Sequence, residues 1–236
     1  MKIIAALSIS FFIITNTYSQ KIEITSSLNS TLFSYQGASS QKNSQINYSD
    51  KTNSGYTNNP YGSKNGLGYG ISFKIDRITK GNIIYGLEVG YEKMRSKVSI
   101  DIISGFNGTT TYRLEATGET FLTGNYINYY TFLGYRFNIK EIAFDLTAGI
   151  EIGKILSFKE DGNATSSNGI SYTTSKDRTT INSDQRMRTQ LSARRNKFGL
   201  YFAYSHGFSN YLSDRVGGVN DSYSRIKRLG ITYQIK

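Results

Sequence analysis

The sequence contains a single histidine, His206, which stands among residue types that could form a hydrolytic triad. Ser205 precedes it directly, and Ser209 and Asp214 follow it. A serine nucleophile, a histidine base and an acid transfer an acyl group only when the fold brings all three together. Nearness along the chain does not supply that geometry. We therefore interpret His206 as a polar residue at an interface, and we predict no catalytic residues.

The sequence also offers few residues that could bind a metal ion or a cofactor. The sequence has no cysteine and one histidine, which are too few for the usual transition-metal ligand sets. Glycines alternate at Gly66, Gly68 and Gly70, but no predicted helix follows them, as a phosphate-binding loop requires. We predict no metal site and no cofactor, and we assign these glycines to close packing.

Acidic residues recur at positions that would allow two carboxylates to act as acid and base. Basic residues fall on the same predicted strand faces, however, and buried charges persist only when they are paired. We therefore predict one enclosed ionic network instead of a catalytic pair. Its members would be Glu23, Lys74, Glu88, Glu92, Arg136, Asp145, Glu151 and Arg228.

The stretch 142–153 shows most clearly what kind of element holds these charges. One set of alternate residues is wholly apolar, whereas the residues between them are small, polar or charged. A period of two is the side-chain period of a β-strand. Asp145 and Glu151 lie on the polar face, so this strand would separate two environments. The apolar positions are Ile142, Phe144, Leu146, Ala148, Ile150 and Ile152.

Similar alternation divides the sequence into eight predicted strands. They are 21–33, 67–75, 83–93, 126–137, 142–153, 186–193, 198–208 and 223–235, of which 186–193 has the weakest pattern. The many tyrosines and phenylalanines and the single proline suit an all-β chain, because proline removes a hydrogen-bond donor from a sheet.

The connections between these strands alternate in length. The long polar ones are 36–66, 104–111, 160–184 and 209–222, and the short ones are 77–82, 138–141 and 194–197. Outer-membrane β-barrels have this asymmetry, with short periplasmic turns and long extracellular loops. We expect 36–66, which is nearly of low complexity, to be mobile. We expect any protein partner to bind through 36–66 and 160–184.

The predicted fold is all-β: an eight-stranded antiparallel transmembrane β-barrel. Closure removes the sheet edges that hydrocarbon would leave unpaired, and side chains fill the interior of so small a barrel. Alternation alone does not say which stripe faces inward, so a soluble lipocalin-like barrel is the rival. The polar stripe has too many glycines and too few lysines, aspartates and asparagines for a solvated exterior, which favours the membrane.

Two sets of residues are assigned positions by this prediction. The glycines expected to make room inside are Gly68, Gly70, Gly86, Gly90, Gly149 and Gly153. The tyrosines expected to form interfacial girdles are Tyr91, Tyr129, Tyr135 and Tyr233.

The N-terminus has the layout of a secretory signal peptide. Lys2 precedes an apolar stretch, 3–14, and a short polar stretch ends at Ser19. We predict a signal peptide over 1–19 and one barrel domain over 20–236, without a lipid anchor because no cysteine follows Ser19. The formal net charge is +11. Export favours outer-membrane lipid and lipopolysaccharide as the partners of this charge over nucleic acid.

Four segments resemble the PorT-like family of Bacteroidetes outer-membrane β-barrel proteins. The segment 126–137, YINYYTFLGYRF, is similar to the family's "YLEIPLLLKYRF", with Tyr130 where the family often has proline. The segments 146–159, 201–210 and 229–235 are similar to the family's "GPYIGYLLSAK", "RYSxGLxN" and "LGLGYRF". The resemblance implies an integral outer-membrane barrel of eight strands, and the family's namesake takes part in protein secretion.

These observations predict an exported outer-membrane barrel without enzymatic activity. Its role would be structural, adhesive or accessory to a surface or secretion assembly. A narrow channel for small solutes is the first alternative, and it requires a water path past the ionic network. The second is a membrane-embedded lipid-modifying enzyme that uses His206, or a soluble lipocalin-like barrel. The sequence indicates no oligomeric state.

Overall fold

The computed structural model describes residues 21–213 and 220–236. The predicted signal peptide, 1–19, and Asp214 lie outside these residues. The strands are β1 (Lys21–Gln36), β2 (Asn43–Ser49), β3 (Ser54–Thr57), β4 (Lys64–Ile78), β5 (Ile83–Phe106), β6 (Thr111–Ile139), β7 (Ile142–Ser166), β8 (Ser171–Asp177), β9 (Ser183–Arg195), β10 (Phe198–Gly207) and β11 (Tyr223–Gln234). Within the described residues, no helix has the length and apolar character needed to cross a membrane.

Eight of these strands form a closed ring. Its neighbours are, in order, β1, β4, β5, β6, β7, β9, β10 and β11, and every pair is antiparallel. β11 returns to β1, from Thr25 opposite Gln234 to Gln36 opposite Tyr223. Closure leaves the ring without a free edge. The predicted eight-stranded antiparallel barrel is confirmed, and its strands correspond to the eight predicted segments.

Short turns join the ring strands at one end of the barrel. The connections 79–82, 140–141 and 196–197 join β4 to β5, β6 to β7 and β9 to β10. Asn82 and Asn196 adopt positive φ angles of 62° and 53°, which asparagine tolerates better than most residues. The predicted short connections are confirmed.

Three ring strands extend far beyond the others at the opposite end. β5, β6 and β7 have 24, 29 and 25 residues, whereas about ten residues per strand span a bilayer. β2 pairs in parallel with the distal part of β5, β3 pairs with β2, and β8 pairs with β7. We call these six strands, β2, β3, β8 and the distal parts of β5, β6 and β7, the upper extension.

The upper extension corrects three predicted loops. The segment 36–66, expected to be mobile, contains β2 and β3, and 160–184 contains the end of β7, all of β8 and the start of β9. The loop predicted at 104–111 is a tight turn over 107–110, where Asn107 Oδ1 accepts hydrogen bonds from two backbone N–H groups. Sequence reasoning missed these strands because they are rich in serine, asparagine and threonine, which favour turns.

Candidate functional site

The outer surface of the ring is an apolar belt. Leu67, Leu133, Leu200 and Leu229 are 59–64% exposed, and apolar side chains on all eight ring strands accompany them. Soluble monomers rarely expose a continuous apolar surface of this extent. The apolar stripe therefore faces outward, and the inward apolar stripe of a lipocalin-like barrel is wrong for this chain. Tyr91, Tyr129, Tyr135 and Tyr233 also face outward, as predicted.

The polarity of the two strand faces reverses part-way along the long strands. On β5, Leu87 is exposed outside while Glu88 is buried inside, but further along Val98 is buried inside and Lys97 lies outside. β6 reverses between Leu133 and Leu122, and β7 reverses between Ile152 and Phe158. A strand with this pattern passes from an apolar surrounding into an aqueous one. The boundary lies where the upper extension begins.

Near the short turns, the lumen is filled by a lower ionic cluster around Arg136. Its guanidinium donates two hydrogen bonds to Asp145, at 2.6 and 2.7 Å, and two to Glu23, both at 3.0 Å. Arg194 also pairs with Glu23, at 2.8 Å. Lys74 pairs with Asp76 at 3.4 Å. Glu23 and Asp145, the two carboxylates that accept from Arg136, are buried. This guanidinium therefore compensates charges that water does not reach.

Glu151 lies at the centre of the lumen and is fully buried. Its Oε1 accepts hydrogen bonds from Arg186 Nη1 at 2.7 Å and Arg228 Nη2 at 2.9 Å. Its Oε2 accepts one from Arg188 Nη1 at 3.3 Å. One carboxylate thus holds three buried guanidinium groups.

Further carboxylates balance these arginines and complete a central ionic cluster. Glu92 accepts two bonds from Arg228, at 2.7 and 2.8 Å, and one from Asn128 at 2.6 Å. The remaining pairs are Glu88 with Arg188 at 3.1 Å and Asp184 with Arg186 at 2.7 Å. A cavity of about 20 Å³ separates the central and lower clusters, which is room for one water molecule.

An aromatic layer closes the lumen above the central cluster. It consists of Phe33, Tyr35, Tyr61, Tyr126, Phe158 and Tyr211, whose ring centroids lie 4.9–6.4 Å from their neighbours. Tyr61 enters from the β3–β4 connection and Tyr211 from the β10–β11 connection. Arg186 lies over the Tyr126 ring at 5.1 Å. Two long connections therefore fold inward and fill the barrel instead of only covering it.

The structure brings the predicted network together and adds five members to it. All eight predicted charges lie in the two clusters, with Lys74 paired to Asp76. The members that sequence reasoning missed are Asp76, Asp184, Arg186, Arg188 and Arg194. Arg186 and Arg188 alternate with the outward Met187, which was the available signal. The predicted inward glycines also make room, because a Cβ at Gly70 would lie 2.4 Å from Glu92.

Of the residues considered for a hydrolytic triad, Ser205, His206 and Ser209 are described, and Ser205 and His206 face opposite sides of β10. Ser205 is buried in the lumen and accepts a hydrogen bond from Arg228 at 2.6 Å. His206 is the next residue along the strand and faces outward, between Tyr204 and Phe208. Ser209 accepts a hydrogen bond from the Gln185 backbone at 2.9 Å. In the described residues, no three histidine, cysteine or acidic side chains are grouped to hold a metal ion.

The upper extension has its own hydrophobic core and a set of side-chain hydrogen bonds that join its strands. The core contains Ile46, Val98, Ile100, Ile103, Ala164 and Tyr172. β3 and β8 are joined through Arg178, which donates to Glu160 at 2.6 Å and also to the Thr57 carbonyl. Glu160 accepts in turn from the Thr57 N–H at 2.8 Å. Because Glu160 lies on β7 and Arg178 directly follows β8, these contacts hold the β2–β3 hairpin against both strands.

The far end of the upper extension opens into a pocket of about 500 Å³, which we call the mouth. Its lining includes Tyr48, Asp50, Asn53, Tyr112, Asn168 and Tyr172. Burial and the hydrogen bond to Asp50 raise the pKa of the Tyr112 phenol well above its ordinary value. The phenol therefore remains a hydrogen-bond donor at neutral pH.

Comparison with solved structures finds barrels that share little sequence with this chain. Ail, the attachment invasion locus protein of Yersinia pestis, in complex with the heparin analogue sucrose octasulfate, is 11% identical over 91% of this chain and 99% of its own, with a TM-score of 0.36. Neisserial surface protein A is 7% identical over 91% of this chain and 98% of its own, with a TM-score of 0.37. The translocator domain of the autotransporter NalP from Neisseria meningitidis is 10% identical over 99% of this chain and 94% of its own, with a TM-score of 0.23.

These three are outer-membrane β-barrel proteins. At such TM-scores the similarity carries no argument about the function of this chain. No protein-family model and no curated protein matches the sequence. The resemblance to the PorT-like family therefore stays a prediction.

Proposed function

We propose that this protein is an integral outer-membrane β-barrel that conducts no solutes and carries the upper extension as a binding platform on the cell surface. The reversal of strand polarity on β5, β6 and β7 carries this proposal. Below the reversal, apolar side chains face outward around a closed ring, which suits hydrocarbon. Above it, apolar side chains turn inward and charged ones turn outward, which suits water.

The filled lumen favours a structural, adhesive or accessory role over a channel. The lower cluster, the central cluster and the aromatic layer succeed one another along the barrel axis. The charges in both clusters are paired with each other, so they present no lining of free polar groups to a passing solute. A role as accessory to a secretion assembly would agree with the PorT-like resemblance of the four motifs.

We also propose that the barrel is not an enzyme, because Ser205 and His206 face opposite sides of β10. The test is His206→Ala expressed in cells whose own copy is deleted. The lipid A profile is expected to match that of cells with the unaltered protein. A lipid A species that appears with the unaltered protein and disappears with His206→Ala would establish lipid-modifying activity.

Heat-modifiability on SDS gels tests the membrane proposal. A closed outer-membrane barrel resists cold SDS and changes its migration after boiling. We expect this shift in the outer-membrane fraction. Leu200→Lys places a charge in the apolar belt and should lower the folded fraction, because lysine facing lipid at mid-depth costs about 2–4 kcal/mol.

Phe106→Lys is the matched control, since Phe106 is also exposed (43%) but lies at the tip of the upper extension. We expect it to fold like the unaltered protein. Equal tolerance of both lysines, with the protein in a soluble fraction, would contradict the membrane proposal.

A basic patch at the boundary of the belt suits the phosphate groups of lipopolysaccharide. Lys93, Arg95 and Lys97 occupy successive outward positions on β5, directly above Tyr91. Arg95 and Lys97 lie 5.3 and 6.0 Å from the Phe121 ring, and Lys97 pairs with Glu119 at 3.1 Å. The excess positive charge stands where lipid headgroups would begin.

Replacing Lys93, Arg95 and Lys97 together by glutamine should weaken lipopolysaccharide binding roughly a hundredfold. The reason is that each basic residue near an anionic surface contributes about 1 kcal/mol. Binding to the refolded barrel would be measured at low and high salt, and only the unaltered protein should show strong salt dependence. The control replaces Lys80, Lys140 and Lys197 in the short turns. An equal loss in both triple variants would contradict a localised lipopolysaccharide site.

A further inference from the structure

The mouth is a polar cavity at the end of the upper extension that lies farthest from the short turns. It lies between the end of β2, the β2–β3 turn, the start of β6, the β7–β8 turn and the start of β8. Its volume of about 500 Å³ is within the range of small-molecule sites. If the proposed function is correct, the mouth opens to the outside of the cell.

Three tyrosines give the mouth flat apolar surfaces. Tyr48 and Tyr172 pack edge to face with ring centroids 4.9 Å apart. Tyr112 packs against Gly105, where a Cβ would approach its ring to 1.9 Å. The absence of a side chain at Gly105 therefore leaves room for the Tyr112 ring. Tyrosine rings offer an apolar face together with a polar hydroxyl.

The polar groups of the mouth combine donors and acceptors. Tyr112 donates to Asp50 Oδ1 at 2.7 Å, and no described residue donates to Asp50 Oδ2. Tyr48 donates to Asn53 Oδ1 at 2.6 Å, which leaves the Asn53 amide N–H groups to a ligand. Asn168 also accepts through Oδ1, from Ser166 at 2.5 Å. Its amide nitrogen remains a donor.

This combination suits a particular chemical class. A sugar hydroxyl both donates and accepts, so it can bond a carboxylate oxygen and an amide N–H at once. The C–H face of a pyranose ring is apolar and packs on an aromatic ring. Among the described residues, Asp50 is the only charged side chain lining the mouth, and it is negative, so a sulfated or phosphorylated ligand would be repelled.

We propose that the mouth binds a neutral saccharide. One or two pyranose rings would pack on Tyr48 and Tyr112, with hydroxyl groups bonded to Asp50, Asn53 and Asn168. This proposal rests on the proposed function, because a sugar reaches the mouth only from the outer side.

The test uses the full mature barrel refolded in a detergent without a sugar headgroup. The probes are immobilised mono- and disaccharides of glucose, galactose, mannose and N-acetylglucosamine, together with a sulfated hexose. We expect saturable binding of at least one neutral sugar and none of the sulfated one. Asp50→Asn and Tyr112→Phe should each weaken binding about tenfold. Asp50→Asn removes the charge that accepts from the sugar, and Tyr112→Phe removes the hydrogen bond that orients Asp50. Both substitutions keep the shape of the side chain.

Asp177→Asn is the matched control, because Asp177 ends β8 at the opposite end from the mouth residue Ser171. It changes the net charge equally and should bind like the unaltered protein. Binding of no neutral sugar, preference for the sulfated hexose, or an equal loss in all three variants would overturn the proposal. Failure of the membrane proposal is recognised separately, by a missing heat shift in the unaltered protein.

Discussion

Glu151 is fully buried and accepts hydrogen bonds from three arginines that are themselves almost fully buried. Removing its charge leaves three guanidinium groups with less compensation. Breaking a buried ion pair on one side typically costs about 3–5 kcal/mol. We therefore expect Glu151→Gln to lower the free energy of unfolding by about that amount, measured by urea unfolding in lipid vesicles.

Glu141→Gln is the control for this measurement. Glu141 pairs with Arg195 at 2.5 Å, but both side chains are about 70% exposed. Exposed pairs contribute about 1 kcal/mol or less, so this variant should unfold almost like the unaltered protein. Equal effects of the two substitutions would show that the central cluster does not hold the barrel together.

The central cluster also shows how far residue-scale reasoning reaches. Glu88, Glu92, Glu151 and Arg228 were predictable, because each interrupts an otherwise small inward face between apolar outward residues. The signal for Arg186 and Arg188 was weaker, because the strand that carries them is polar on one face and has few apolar residues on the other. The pairing of particular charges across the lumen depends on ring closure, which no local pattern records.

At the scale of elements, the upper extension was the part that sequence reasoning missed. Alternation over 94–106 persists, but its apolar residues turn inward and its charged residues turn outward. A β-bulge near Ile100 also shifts the register of β5 against β6. A search for apolar outward stripes ends at such a reversal, so predicted strands stopped where the belt stops.

Closure of the upper extension depends on Arg178 joining β8 to β3. Arg178→Ala would leave the buried Glu160 without its guanidinium partner and would remove the bond to the Thr57 carbonyl. We expect the β2–β3 hairpin to detach locally and proteinase K to cut within 37–63 much faster. Mass spectrometry of the fragments measures this, and the heat shift of the barrel should stay unchanged.

Arg113→Ala is the control, because Arg113 is exposed in the same extension and does not join β3 to β8. Its cleavage pattern should match that of the unaltered protein. Resistance of Arg178→Ala to cleavage would mean that β2 pairing with β5 alone holds the hairpin.

At the scale of the whole molecule, the barrel is a stack of filled layers along its axis. The lower cluster, the central cluster and the aromatic layer follow one another from the short turns to the upper extension. An eight-stranded barrel is narrow enough for side chains to fill it. Each of these layers uses long side chains that reach across the lumen, and the small inward residues give them room.

This filling predicts electrical silence. The refolded protein in a planar bilayer should give no current steps, while a water-filled porin in the same bilayer conducts. Reproducible steps that scale with the amount of barrel would favour the channel for small solutes. Glu151→Gln is the informative variant, because it loosens three arginines at the centre and leaves the aromatic layer unaltered. Current in this variant alone would place the seal at the central cluster, and silence in both would place it at the aromatic layer or the lower cluster.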